Sequence, residues 1–340
     1  MLTKKGSTIF FKKPPVVRGY ASVVGKKEAE GPLREHFDVI CMDSLLGQKS
    51  FEKAEAQLQN TAVSRALQKA GITAEDVGYV MGGDLLNQCI SSSYGLRDFG
   101  IPFLGLYGAC STMSESLGLA AVLCACGAAE NCAAVSSSHF CSAERQFRFP
   151  LNYGGQRTPT AQWTVTGAGS VVVSRQGEAN MPHIRAVTFG RIEDLGITDI
   201  NNMGAAMAPA AASTLAAFLR DSETKPSDYD LILTGDLGKL GSDLLVRLLK
   251  DNNINIAERH NDCGKMIFDM ENQDVHSGGS GCGCSASVLC SKILRDISAG
   301  NLKNVLFMAT GALMSTVSVQ QGESIPGIAH LIHLSSKAED

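Results

Sequence analysis

Gly108-Ala109-Cys110-Ser111-Thr112 is the stretch that decides the fold. An apolar run, Ile101 to Leu106, precedes it, and a small-residue helical pattern follows from about Ser111 to Ala125. The order is strand, tight turn, helix start. A thiol at such a junction sits at a helix N-terminus, where free N–H groups and the dipole favour a thiolate. The same turn offers backbone donors to an oxyanion. Read alone, the segment predicts a cysteine placed as a nucleophile.

The pattern around Cys110 occurs twice. Gly108-Ala109-Cys110-Ser111 matches Cys282-Gly283-Cys284-Ser285, with Cys284 lying 174 residues after Cys110. At the same offset Cys132 to Ser136 falls on Leu306 to Thr310, and Tyr79 to Asp84 resembles Leu231 to Asp236, each ending in Gly-Asp. Short apolar runs alternating with helical patterns imply βαβ units around buried sheets. The reading is α/β, with one half at residues 1–177 carrying Cys110 and a second at 178–340. A helix is predicted over Phe51 to Ala70, closed by Gly71, with Glu52 and Glu55 among its polar positions. Thr73 with Asp76 then forms a capping box. Ser142 to Thr166 reads as a polar, glycine-rich excursion outside the core, and such loops are functional or form interfaces. Gly167-Ala168-Gly169-Ser170 reads as strand packing.

Composition narrows the function classes. A chain of 340 residues, 44% hydrophobic and with 35 glycines, has room for two cores and many tight turns. A net charge of −4 and the lack of a basic patch argue against nucleic acid. Eleven scattered cysteines read as reduced thiols. The basic N-terminus lacks the apolar run of a signal peptide, and Leu117 to Ala129 is too short to span a bilayer. Membrane attachment is therefore expected to be peripheral. Cys124/Cys126 and Cys282/Cys284 are closer than the usual zinc spacing, so no metal is expected.

The residues also carry a family resemblance, over about residues 7 to 333. A duplicated α/β chain with Cys at a strand–turn–helix junction resembles the thiolase and ketoacyl-synthase architecture, two pseudo-symmetric βαβαβ halves in a five-layer αβαβα sandwich. More specifically, the chain resembles the stage V sporulation protein AD family. The strings that carry this are Gly31 to Leu33, Gly83 to Gln88, Gly108 to Thr112, Ala143 to Arg148, Asp194 to Asp199 and Ala206 to Ala211. Asp228 to Asp236, His260 to Gly264 and Ser277 to Cys282 extend it through the second half. The resemblance implies binding of dipicolinic acid, with calcium as a companion, and a part in its movement across the spore inner membrane in sporulation and germination. Integral membrane proteins of the same channel are the implied partners, and a homodimer is common for the fold. No cofactor is implied.

Catalytic residues of that architecture are incomplete here. Condensing enzymes combine the cysteine with two histidines, or a histidine and an asparagine. The matching positions hold about Gly235 and the run Ser280-Gly281-Cys282-Gly283, and Ala309 to Ala312 offers no second cysteine. The expectation is a non-catalytic binding protein, with an acyl-transfer enzyme using Cys110 and a recruited His139 or His260 as the alternative. Candidate ligand contacts are Cys110, Ser111, Asp84, His139, Arg145, Met207, Asp236, His260 and Ser280. Asp84 and Asp236 either face a crevice at the strand ends or cap helices. Arg145, Arg148 and Arg157 either clamp a carboxylate or form structural ion pairs, and Met207 or Phe140 would wall the ring.

Overall fold

A computed structural model describes residues 2–147 and 157–337. Ten strands build its frame: β1 (Val16–Gly25), β2 (Tyr79–Gly83), β3 (Phe103–Gly105), β4 (Asn131–Ser138), β5 (Gly167–Ser174), β6 (His183–Phe189), β7 (Leu231–Thr234), β8 (His260–Asp262), β9 (Asn304–Ala312) and β10 (Gly327–Ser335). They pair in the order β8-β7-β9-β10-β6-β1-β5-β4-β2-β3. Each five-strand set therefore repeats one topology, third-second-fourth-fifth-first. Within each set the second and fourth strands are parallel, and the fourth and fifth antiparallel. A single pair, His183 with Val16, and an N-terminal hairpin laid on β6 connect the sets.

Seven helices matter for the site: α1 (Phe51–Ala70), α2 (Ile90–Leu96), α3 (Thr112–Ala125), α4 (Phe140–Phe147), α5 (Met203–Ser222), α6 (Gly238–Asp251) and α7 (Cys282–Val288). α3 and α7 lie between the strand sets. Ser114 of α3 accepts from the Ala309 amide on β9, while Cys124 reaches the Val173 carbonyl on β5. Cys284 of α7 reaches the Gly235 carbonyl, and the same helix crowds Gly169 on β5. α1 and α2 cover the outside of the first set, and α5 and α6 the outside of the second. This is the five-layer arrangement, and it explains why α3 is made of small residues. Two sheets close on it, so most of its positions are buried and only short side chains fit.

Strands covered on both faces read as continuous burial, as every residue of β4 and β5 does. α1 begins and ends where its caps put it. Ser50 accepts from the Lys53 amide, and Gly71 turns left-handed at φ 66°. The Thr73–Asp76 capping box is present. Two segments differ from the sequence reading. The Ile101–Leu106 run yields only Phe103–Gly105, an edge strand with Pro102 at its entry and Phe103 and Leu104 exposed. The excursion from Ser142 starts inside α4, and its far end, Trp163–Thr164, pairs with Gly279–Ser280.

Candidate functional site

Cys110 stands on a single turn of 3-10 helix, Ala109–Ser111, leading into α3. Ala109 is left-handed at φ 49°, a conformation that costs a residue with a Cβ about 1–2 kcal/mol. The turn is held by Ser111, whose hydroxyl donates to the Gly108 carbonyl at 2.7 Å, and by Thr112, which donates to the Ala109 carbonyl at 2.8 Å. β9 comes so close behind it that a side chain at Gly311 would overlap the Gly108 carbonyl oxygen. Hence the glycine.

Beneath the turn lies Asp236, fully buried. Its Oδ2 accepts from the Gly281 amide at 2.8 Å and the Ser280 hydroxyl at 3.3 Å, and its Oδ1 from the Thr310 hydroxyl at 3.0 Å. The Cys110 thiol lies beside it. Burial outweighs these bonds and pushes the Asp236 carboxyl up to about 7. Cys110 is displaced further. Burial first, then the neighbouring Asp236 charge, hold its thiol well above the usual range. That direction runs against the thiolate expected from the helix N-terminus.

The Cys110 turn opens into a cavity of about 750 Å³, its mouth included. Leu85, Phe147, Ile200, Met203, Met207 and Met314 make most of its apolar wall. Tyr107, Glu144, Gln162, Thr164, Asn201 and Ser280 are its polar members. Among the described residues no histidine, lysine or arginine lines it. Cys110, Met207 and Ser280 of the expected set are brought together here, with Asp236 under the floor.

The other expected residues stand elsewhere. Asp84 caps the start of α2, accepting from the Leu86 and Ser92 amides and the Ser92 hydroxyl. Ser111 is spent on its own turn. His139 bridges locally, Nε2 donating to the Ser44 carbonyl and Nδ1 accepting from the Cys141 amide, and it faces a separate cavity. His260 lies on β8 with Nε2 against the Thr234 hydroxyl at 3.0 Å, and burial lowers it to about 4. Arg145 pairs with Glu52 outside the cavity, and Arg157 with Asp274. Phe140 stacks on Trp163 rather than facing Cys110. Arg148 is outside the described residues. The physical reason is common to most of these: each was placed by closeness in sequence to a motif, and each satisfies a local partner first.

Sequence reasoning missed Tyr107, Gln162, Glu144 and Phe147. For two of them a signal existed. Ala143, Glu144 and Phe147 share one face at helical spacing, which a helix over Phe140–Phe147 would have pointed at Cys110. Gln162 had none. Its amide nitrogen donates to the Asp236 and Gly279 carbonyls at 2.8 and 2.7 Å, partners far along the chain.

Comparison with known proteins gives these features a family. A model of stage V sporulation protein AD matches residues 5–335. The stage V sporulation protein AD of Bacillus subtilis (strain 168) is 45% identical over 324 residues, covering 95% of each chain. The chain belongs to the stage V sporulation protein AD family. Among solved structures it is similar to 3-oxoacyl-[acyl-carrier-protein] synthase III from Aquifex aeolicus VF5, at 13% identity and TM-score 0.59, covering 94% of this chain and 99% of that one. Cerulenin-bound OleA of Xanthomonas campestris aligns at 13% identity and TM-score 0.63, covering 98% and 99%. These likenesses establish the thiolase-like fold of this sporulation protein AD family member. No helix among the described residues is long and apolar enough to cross a membrane.

Proposed function

We propose that this protein is a non-catalytic ligand-binding member of the fold, holding dipicolinic acid in the Cys110 cavity for its transport across the spore inner membrane. One observation carries the non-catalytic part. Among the described residues no histidine lines the cavity at Cys110, and burial beside the Asp236 carboxyl pushes the thiol up. Dipicolinate as the ligand is supported by family membership. The cavity supports one form of it over another. Its lining offers hydroxyl and amide groups and the Glu144 carboxylate, with no cation among the described residues. A free dianion gains little from such walls. The calcium chelate, with its charge neutralised by the metal, fits them better. Integral membrane partners, a peripheral location and a homodimer belong to the same proposal.

Calorimetric titration with dipicolinate, with and without calcium, and with acyl-CoA in parallel, tests it. Saturable binding that is tighter with calcium, and no acyl transfer, is the expected result. Acylation of Cys110 by acyl-CoA, without dipicolinate binding, would replace it with an acyl-transfer enzyme in which Asp236 takes the thiol proton.

A further inference from the structure

The N-terminal hairpin stops short of the end of β6, and that mismatch opens a second pocket. The hairpin pairs with β6 from Phe10 opposite Ala186 to Thr8 opposite Thr188. It then turns back at Gly6, which is left-handed at φ 57°. Phe189, Gly190 and Arg191 run on without that neighbour. The space left is about 440 Å³ with its mouth. Ser7 and Arg191 line two sides of it, and one face of α5 lines the third, with Ser213, Ala217 and Arg220 at helical spacing. Ala217 is the small member of that stripe, so the helix leaves room. None of these residues lines the Cys110 cavity.

Two cations meet here without a carboxylate. Among the described residues the lining holds Arg191 and Arg220, and neither aspartate nor glutamate. The acids stand behind them. Arg191 donates from Nε to Glu193 at 2.6 Å, and Arg220 from one terminal nitrogen to Asp221 Oδ1 at 3.1 Å. A guanidinium carries five N–H groups, so each keeps four. The two arginine side chains are 80% and 69% exposed, and exposed pairs of this kind are worth at most about 1 kcal/mol. They orient the guanidiniums and compete little with a dianion. Asp221 is itself buried. Its Oδ2 accepts from the Ser7 amide at 2.8 Å and the Thr8 hydroxyl at 3.0 Å. One carboxylate thus ties the hairpin turn that carries Ser7 to the helix end that carries Arg220.

We propose that this pocket binds a phosphate group, free or as a monoester, through Arg191 and Arg220, with the Ser7 and Ser213 hydroxyls as further donors. A planar carboxylate is satisfied by a single guanidinium fork, whereas a tetrahedral dianion accepts from several directions. The pocket supplies donors from three elements: the hairpin turn, the end of β6 and the face of α5. Its volume exceeds that of a bare phosphate and leaves room for the organic part of an ester. The site does not rest on the reading of the Cys110 cavity.

Calorimetry on the full-length protein at pH 7.5 and constant ionic strength tests it, with inorganic phosphate and glycerol 1-phosphate as probes and acetate as the control. Saturable binding of one phosphate group per chain is expected. Tighter binding of the ester would assign the site to an organic phosphate, and equal binding to the free ion. Arg191→Gln and Arg220→Gln should each weaken it by roughly tenfold, the size of one charge-assisted bond. Ala217→Leu fills the pocket with its charges intact and should abolish binding, while Ala312→Phe, in the Cys110 cavity, should leave it unaltered. Arg191 lies on the surface, so its variant carries the test even if Arg220→Gln loosens the Asp221 anchor and does not fold. No saturable binding, equal affinity for acetate, an affinity indifferent to Arg191, full binding in Ala217→Leu, or its loss in Ala312→Phe would each overturn the assignment.

Discussion

The Cys110 thiol and the Asp236 carboxyl are buried side by side, and that pair sets the chemistry of the cavity floor. Two effects compete on the thiol. The start of α3 favours a thiolate by about 0.3–1 kcal/mol. Burial, and then the neighbouring Asp236 charge, oppose it and hold the thiol well above its usual range. The second effect is the larger, and it favours the neutral thiol at Cys110.

Alkylation should show this directly. With iodoacetamide at pH 8, the exposed Cys126 is expected to react promptly and Cys110 slowly, as read by peptide mass spectrometry. Asp236→Asn removes the charge under the thiol and should speed Cys110 labelling. The same change sets an amide N–H against existing donors, so stability should drop by about 1–3 kcal/mol. Native Cys110 reacting as fast as Cys126 would contradict the assignment.

A second prediction concerns pH. Burial raises Glu55 to about 8, and Asp236 and Glu28 to about 7. Each has a folded pKa above its unfolded one. The folded state therefore holds more protons, and stability is lost as pH rises through the folded values. Buried His260 and His330, lowered to about 4, act oppositely, but only between about 4 and the usual 6.5 of a free imidazole. From pH 6.5 to 8 the histidines no longer oppose the carboxyls. The melting temperature should fall across that window, with a slope of roughly 1.4 kcal/mol per pH unit for each proton involved. Glu55→Gln should flatten it, and a rising or level profile would count against protonated carboxyls.

Glu55 also marks where the sequence stopped being informative. On α1 it reads as one polar position among several, yet it is fully buried. Ser137 and Ser142, 82 and 87 residues along the chain, donate to it. Helical periodicity locates a face but not the hydroxyls a distant strand brings to it. What was legible depended on local physics: the caps of α1, the glycine-rich turn at Cys110, and the repeat that places β4 and β9 alike. Asp236 was legible because strand ends point at the crevice. Arg145 and His139 were misplaced because their first partners, Glu52 and Ser44, are invisible in a motif.

Gly311 tests the closeness of β9 to the Cys110 turn. A Cβ there would overlap the Gly108 carbonyl and come within 3.1 Å of the Ser111 amide, backbone atoms that cannot swing aside. Gly311→Ala should destabilise the fold by about 1–3 kcal/mol, as overpacking does, and reshape the cavity floor. Chemical denaturation gives the first quantity, and titration with calcium dipicolinate gives the second. A variant that matches the parent in both would mean the turn has slack that its packing denies.

Arg145 and Ala312 separate the cavity from its surroundings. Arg145 is tied to Glu52 on α1 and half-exposed, so Arg145→Ala removes a surface ion pair worth at most about 1 kcal/mol. Its affinity for calcium dipicolinate should match the parent's. Ala312 is 6% exposed at the end of β9 and lines the cavity. Ala312→Phe projects a ring into that space, at a cost of about 1–3 kcal/mol in stability, and should abolish binding while the chain stays folded. Calorimetry on both variants, with melting curves to confirm the fold, distinguishes the outcomes. Lost binding in Arg145→Ala with full binding in Ala312→Phe would move the ligand out of this cavity and toward the arginine-bearing face of α4.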